Sequence, residues 1–146
     1  MRMTMSGQMI WGTVLLGVCL FLHVGFLIID IRLLKWLNGK LWASGPLFST
    51  AVLLSAAIIV IVLSHSVQVW MWALSLIAFG AFSDPGTAVY FALVTYTTLG
   101  YGDIVLAENI RLYGGFASVT GLLGFGLSTA FLVAVFSKLL PNHLAD

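Results

Sequence analysis

Long apolar runs, separated by short polar segments, dominate the pattern of the chain. Three of them contain no Lys, Arg, Asp or Glu, and they cover residues 3–29, 41–83 and 112–137. Each is longer than the roughly 20 residues that an α-helix needs to cross about 30 Å of hydrocarbon. The pattern therefore predicts an all-α, multi-pass membrane protein, whose first helix extends from about residue 9 to residue 31.

The middle run is too long for a simple crossing. A helix that begins at Pro46, which suits a first turn because it lacks an N–H group, and ends near Phe82 would measure roughly 50 Å. It is either one long helix whose upper end leaves the hydrocarbon, or a hairpin of two spans that turns near residues 64–66. No Gly or Pro lies at that turn, and a hairpin would carry the basic residues that follow the first helix to the outside. We favour one long helix, with the hairpin as the alternative.

A polar break separates the second run from the third. Asp84 can cap the N-terminus of a helix that has Pro85 in its first turn. Residues 86–97 have a helical composition but are too few to cross a membrane. They end at the heptapeptide TTLGYGD, residues 97–103, and the last helix follows at 112–137. The predicted order is helix, helix, short re-entrant helix, non-helical strand and helix, which gives three membrane-spanning helices and one re-entrant loop.

The heptapeptide TTLGYGD places non-helical backbone at membrane depth. Such backbone is tolerated only where protein buries it or where it lines a water-filled cavity. Gly100 and Gly102, at alternate positions, allow backbone angles that would point successive carbonyl groups to one side. The short helix directs its C-terminus, with the equivalent of about −0.5 charge, towards the same place. These features predict a cation site that rotational symmetry between several copies of the chain would complete.

Charge is scarce and unevenly placed. The chain is 61% hydrophobic and 8% charged, against about 25% charged in soluble domains. Its net charge of +1 and the absence of a basic patch argue against nucleic-acid binding. Arg32, Lys35 and Lys40 follow the first run, and Lys138 follows the last. By the positive-inside rule, these segments are cytoplasmic, so we expect the N-terminus outside and the C-terminus inside.

Several kinds of function are not expected. The few acidic residues and histidines form no nucleophilic triad, carboxylate pair or phosphate loop, so we predict neither an enzyme nor a bound cofactor. Cys19 is the only cysteine, which excludes an intrachain disulfide. No run carries the repeated cations of a voltage sensor. Nine residues follow Ser137, which is too few for a cytoplasmic ligand-binding domain.

From Pro46 to Ser137, the chain resembles the pore domain of potassium channels, whose selectivity filters read TxGYG. The resemblance implies a homotetramer in which four filters replace the hydration shell of K⁺ with backbone carbonyl oxygens. The filter residues would be Thr98, Leu99, Gly100, Tyr101 and Gly102, and the hydroxyl of Thr98 would form the innermost site. The implied organisation is an N-terminal helix with a basic cytoplasmic loop, a pore domain and a cytoplasmic tail, at residues 1–45, 46–140 and 141–146.

The residues around the filter can be interpreted by the same resemblance. Asp103 would lie behind the filter mouth, and Tyr90 holds the position from which an indole pairs with this carboxylate in many relatives. Thr97 and Val94 would support the filter from the short re-entrant helix, which is called the pore helix in the family. Val94 stands where some bacterial relatives carry Glu, so inactivation behaviour that depends on that carboxylate is not expected here.

The last helix, residues 112–137, also matches the family, in which it is the inner helix that lines the pore. Gly121 falls where the family often has a hinge glycine. The predicted pore-lining residues share one helical face: they are Leu122, Phe125, Thr129 and Val133. A packing seam between helices, made by Thr120, Gly124 and Ser128, is an alternative explanation for the small residues.

Two histidines lie inside apolar helices. His23 and His65 are either pH sensors, because histidine titrates near neutral pH, or neutral side chains that are hydrogen-bonded between helices. We interpret Asp30, together with Arg32 and Lys35, as an anchor of the first helix at the membrane interface.

The function expected from these features is passive K⁺ conduction. Its partners would be further copies of the chain, membrane lipids and the permeant ion. The alternatives are a subunit of a K⁺ uptake transporter, although such proteins chain four repeats together and this chain has one, and a non-conducting regulatory subunit of larger channels.

Overall fold

The computed structural model describes residues 4–41 and 45–139, which form four helices. They are α1 (Met5–Lys40), α2 (Pro46–Ala78), α3 (Pro85–Tyr96) and α4 (Arg111–Leu139). By length and composition, α1, α2 and α4 can each cross a membrane, whereas α3 has only 12 residues. The predicted all-α membrane architecture is confirmed. The predicted tail, 141–146, lies outside the described residues.

The first helix is longer than predicted. Thr4 caps it by accepting a hydrogen bond from the N–H of Gly7 at 3.2 Å, and it continues for 36 residues to Lys40. The segment 32–40, predicted as a basic loop, is therefore helical. A cation near a helix C-terminus is favourable, and the ammonium of Lys40 lies 3.9 Å from the ring centre of Trp36. The charge of Lys40 and its contact with the ring of Trp36 both stabilise the C-terminal end of α1, where the helix extends past the apolar run.

Asp30 does not anchor α1 at an interface. It belongs to the buried stripe of α1, together with Cys19 and His23, and it is fully buried. Neither carboxylate oxygen has a hydrogen-bond partner among the described residues. The expectation was wrong because α1 continues for ten more residues, so that Asp30 lies within the bundle and not at its end.

The long middle run is one helix. α2 is continuous through residues 64–66, where a hairpin would have turned, and its 33 residues measure about 50 Å. It ends four residues before the predicted limit, at Ala78, and Gly80 follows with a φ of 75°. The backbone reverses at this glycine because a positive φ costs glycine little.

The buried core lies at the end of the bundle where α2 ends and α4 begins. Trp72 and Tyr113 pack with ring centres 5.3 Å apart, and Phe79 lies edge-on to Tyr113 at 5.0 Å. Gln8, in α1, accepts hydrogen bonds from the N–H groups of Leu112 and Tyr113 at 3.1 and 3.3 Å. The side chain thereby satisfies two of the N–H groups that the first turn of α4 leaves unpaired.

Candidate functional site

The short helix α3 is capped where the sequence predicted. The N–H and the hydroxyl of Thr87 both donate to Oδ2 of Asp84 at 2.7 Å. These hydrogen bonds hold the pKa of Asp84 below its usual range. With Pro85 in the first turn, the start of α3 is well defined, and its C-terminus leads directly into TTLGYGD.

Beyond α3, the backbone alternates in handedness. Thr98, Gly100 and Gly102 have φ angles of 60°, 56° and 77°, whereas the residues between them do not have positive φ. The two glycines behave as their positions indicated. The left-handed backbone of Thr98 was missed, because a threonine with positive φ is rare and no sequence signal announces it.

Hydrogen bonds attach the base of this strand to the last turn of α3. The carbonyl oxygen of Val94 accepts from the N–H groups of Leu99 and Gly100 at 3.0 and 3.2 Å. The backbone N–H of Thr98 donates to the carbonyl oxygen of Thr95 at 3.0 Å. The hydroxyl of Thr97 donates to the carbonyl of Leu93 at 2.8 Å. These hydrogen bonds fix the base of the strand relative to the last turn of α3.

The far end of the strand is also attached to α3. The phenol of Tyr90 donates to Oδ2 of Asp103 at 2.7 Å. This hydrogen bond, and the negative charge of the carboxylate, raise the pKa of the phenol above its usual range. A phenol is protonated at neutral pH and can donate there. Because its pKa is raised, the stabilising contact is present below the ordinary tyrosine range near 10 and is lost as the pH rises past it.

We expect Asp103→Asn to lower the pKa of Tyr90 towards its ordinary value, because an amide is a weaker acceptor than a carboxylate and carries no charge. NMR of ring-labelled tyrosine across a pH series would measure the change. Glu108→Gln is the matched control, since it removes a carboxylate that pairs with Arg111 at 3.4 Å instead. An unchanged Tyr90 titration in Asp103→Asn would contradict the pairing.

The predicted pore-lining residues lie on a face of α4 that the single chain leaves exposed. Leu122 and Val133 are 65% and 60% exposed, and Thr129 is also exposed. Phe125 differs, because its ring packs 4.7 Å from that of His65 and 5.7 Å from that of Tyr96. It is thus shared between the exposed face and the interior.

Gly121 lies in an unbroken stretch of α4, on its buried face. A Cβ at this position would overlap the carbonyl oxygen of Tyr96 and lie 2.9 Å from the carbonyl carbon. Thr120, Gly124 and Ser128 are buried on the same face. Close packing against α3 is therefore sufficient reason for the glycine, and its role as a hinge stays a prediction.

The two histidines meet inside the bundle, with ring centres 5.1 Å apart. His23 hydrogen-bonds with Ser64 at 2.9 Å and with Ser128 at 3.2 Å. His65 hydrogen-bonds with Tyr96 at 2.8 Å and with Ser128 at 3.0 Å. Both rings thus form hydrogen bonds between helices, which agrees with the hypothesis of histidines hydrogen-bonded between helices. Tyr96 is not among the predicted site residues, because its only signal in the sequence is a phenol next to the filter motif.

Within the described part of the chain, no three His, Cys, Asp or Glu residues converge as ligands for a metal ion. The chemistry available at TTLGYGD is that of backbone carbonyl and hydroxyl oxygens. These are hard, neutral ligands that suit a weakly held alkali cation better than a transition metal.

Comparison with known proteins agrees with this geometry. The profile of a family described as ion channel matches residues 47–140. The potassium voltage-gated channel protein Shal of Drosophila melanogaster is 38% identical over 68 residues, which are 44% of this chain and 12% of Shal. No solved structure gives a significant match. Since the matched profile extends from α2 to the end of α4 and includes TTLGYGD, the chain belongs to the potassium-channel pore family of ion channels.

Proposed function

We propose that the chain forms a homotetrameric, K⁺-selective channel that conducts passively. The observation that supports this most directly is the alternating left-handed backbone at Thr98, Gly100 and Gly102. Such alternation brings successive carbonyl groups to one side of a strand. Four copies around a common axis would then stack rings of oxygens that replace the hydration shell of K⁺.

The surrounding elements favour a cation at this position. Four α3 helices would direct their negative C-terminal ends towards the axis, and the hydroxyl of Thr98 would complete the innermost ring. The contact between Tyr90 and Asp103 would keep the outer end of each strand in place. The filter would then provide ligands for K⁺ without any charged side chain on the axis.

The path below the filter would be apolar. Leu122, Thr129 and Val133 lie on the exposed face of α4, and a constriction of such residues can close by losing its water. Arg32, Lys35 and Lys40 lie in the last third of α1, so we place that end in the cytoplasm and the filter mouth outside. Within the described helices, no span has the series of cations that a voltage sensor needs.

Purified protein in liposomes tests the proposal. We expect K⁺ efflux down its gradient that Ba²⁺ blocks and that exceeds Na⁺ efflux at least tenfold, from particles whose mass by native mass spectrometry is that of four chains. Protein-free liposomes are the control. A folded homomer without flux would indicate a non-conducting regulatory subunit instead, and transport that needs a second driving ion would indicate an uptake transporter.

A further inference from the structure

Hydrogen bonds join all four helices at the buried centre of the bundle. The buried polar network consists of one or more side chains from each helix: His23 of α1, Ser64, His65 and Gln68 of α2, Tyr96 of α3 and Ser128 of α4. His23 is fully buried, and Ser64, Gln68 and Tyr96 are 1% exposed. Nothing in ion conduction itself requires this network.

Tyr96 is the end of the network that lies nearest the filter. It is the last residue of α3, and its hydroxyl lies 2.8 Å from Nδ1 of His65. Two glycines of α4 form a slot for it. A Cβ at Gly121 would overlap its carbonyl oxygen, and a Cβ at Gly124 would lie 3.2 Å from its hydroxyl oxygen. Tyr96 is therefore held at both its backbone and its side chain.

The strand begins directly after this held residue. Thr97 follows Tyr96, and Thr98 is the first residue with positive φ. The hydroxyl of Ser118, in α4, donates to the carbonyl of Thr95 at 3.0 Å, which adds a second attachment at the same turn. Since Val94 accepts the N–H groups of Leu99 and Gly100, the positions of these filter residues depend on where the last turn of α3 is fixed.

The opposite end of the network lies in α1. Ser128 hydrogen-bonds with both histidines, at 3.0 Å from Nε2 of His65 and 3.2 Å from Nε2 of His23. Nδ1 of His23 lies 2.9 Å from Ser64 and 3.2 Å from the amide nitrogen of Gln68. A neutral imidazole has one donor and one acceptor nitrogen. In both rings, each of these nitrogens lies within hydrogen-bonding distance of a partner. Removing one partner would leave a buried polar group unpaired.

We propose that Tyr96 and His65 are positioning residues for the selectivity filter, and that α1 contributes to selectivity through His23. The network holds the end of α3 against α2 and α4, and Ser128 passes this restraint to α1. The inference rests on the proposed K⁺ channel and assigns a role to the helix that precedes the pore domain. Substitutions in the network should therefore change ion discrimination in tetramers that still assemble.

Tyr96→Phe tests the first link, because it keeps the ring and removes only the hydroxyl. We expect the K⁺/Na⁺ permeability ratio, from reversal potentials in bilayers, to fall by roughly fivefold, because losing one hydrogen bond, which typically changes an equilibrium by about that factor, loosens the end of α3 below the filter. Tetramer mass should stay unchanged. A purely structural role would lower the melting temperature and leave the ratio of the assembled channels at the wild-type value, and that result would overturn the inference.

Two variants of His65 provide the second measurement. His65→Gln keeps a donor and an acceptor, whereas His65→Leu keeps neither, so glutamine should restore part of the permeability ratio that leucine loses. Ser66→Ala is the matched control, because among residues 4–41 and 45–139 its hydroxyl bonds only to the carbonyl of Val62 in its own helix, at 2.8 Å. Equal ratios in the glutamine, leucine and alanine variants would contradict a positioning role for His65.

The contribution of α1 is tested by His23→Phe, alone and combined with Tyr96→Phe. If the restraint passes through Ser128, the two substitutions should be non-additive. The K⁺/Na⁺ permeability ratio of the double variant should then fall by a smaller factor than the product of the factors for the two single variants. A wild-type ratio in His23→Phe would remove α1 from the inference. If wild-type protein carries no K⁺ at all, the proposed function fails and the inference fails with it, whereas selective wild-type channels with unaffected variants contradict only the inference.

Discussion

In bilayers with K⁺ on one side and Na⁺ on the other, channels with Gly100→Ala should lose nearly all discrimination between the two ions. Gly100 has a φ of 56°, and a left-handed residue with a Cβ costs about 1–2 kcal/mol. In a tetramer the strain is repeated four times around one axis. The strand would relieve it by rotating peptide groups, which would turn carbonyl oxygens away from the ion.

The matched control for this change is Gly80→Ala. Gly80 has a φ of 75°, and an added Cβ meets nothing within 4 Å at either glycine. The two variants therefore impose similar backbone strain, one in the loop after α2 and one in the filter. We expect Gly80→Ala to keep wild-type selectivity with a modest loss of stability. Retained selectivity in Gly100→Ala would refute the assignment of TTLGYGD as the filter.

Gly121→Ala should prevent the normal packing of α4 against α3. The added methyl group would overlap the carbonyl oxygen of Tyr96, and a backbone atom cannot move aside as the end of a side chain can. We expect a loss of about 3 kcal/mol per chain, at the upper end for overpacking. Thermal unfolding followed by circular dichroism, with native mass spectrometry of the tetramer, would measure it.

Gly115→Ala, in the same helix, is the control, because a Cβ there meets nothing within 4 Å. It should unfold at the wild-type temperature or above, since alanine is a better helix former than glycine. The pair also separates packing from hinge motion at Gly121. Stable Gly121→Ala tetramers that differ from wild type only in how often they open would favour the hinge.

Much of the pore architecture could be predicted because its signals are local. Asp84 and Pro85 mark the start of α3 through capping and proline geometry, which act over a few residues. Gly100 and Gly102 indicate a left-handed backbone with positive φ, which residues with a Cβ rarely adopt. The continuity of α2 followed from the absence of Gly or Pro near residue 64. In each case the deciding interaction lies within about four residues of the signal.

The errors concern residues whose environment is set by distant parts of the chain. The charges of Arg32 and Lys35 suggested that α1 would end near residue 31, but it continues to Lys40. Asp30 was placed at an interface, although packing of α1 on α2 and α4 buries it. Polarity along the sequence cannot show which side of a helix faces its neighbours.

The sequence by itself determined the three apolar spans, the short helix between them and the unusual backbone at the two glycines of TTLGYGD, because hydrophobic length, capping and glycine conformation are local properties. Only the tertiary structure decided that Tyr96 lies in a slot of α4 and that His23 and His65 share Ser128. Those contacts join residues 25 to 105 positions apart, and they exist only when four helices pack at a particular rotation and depth.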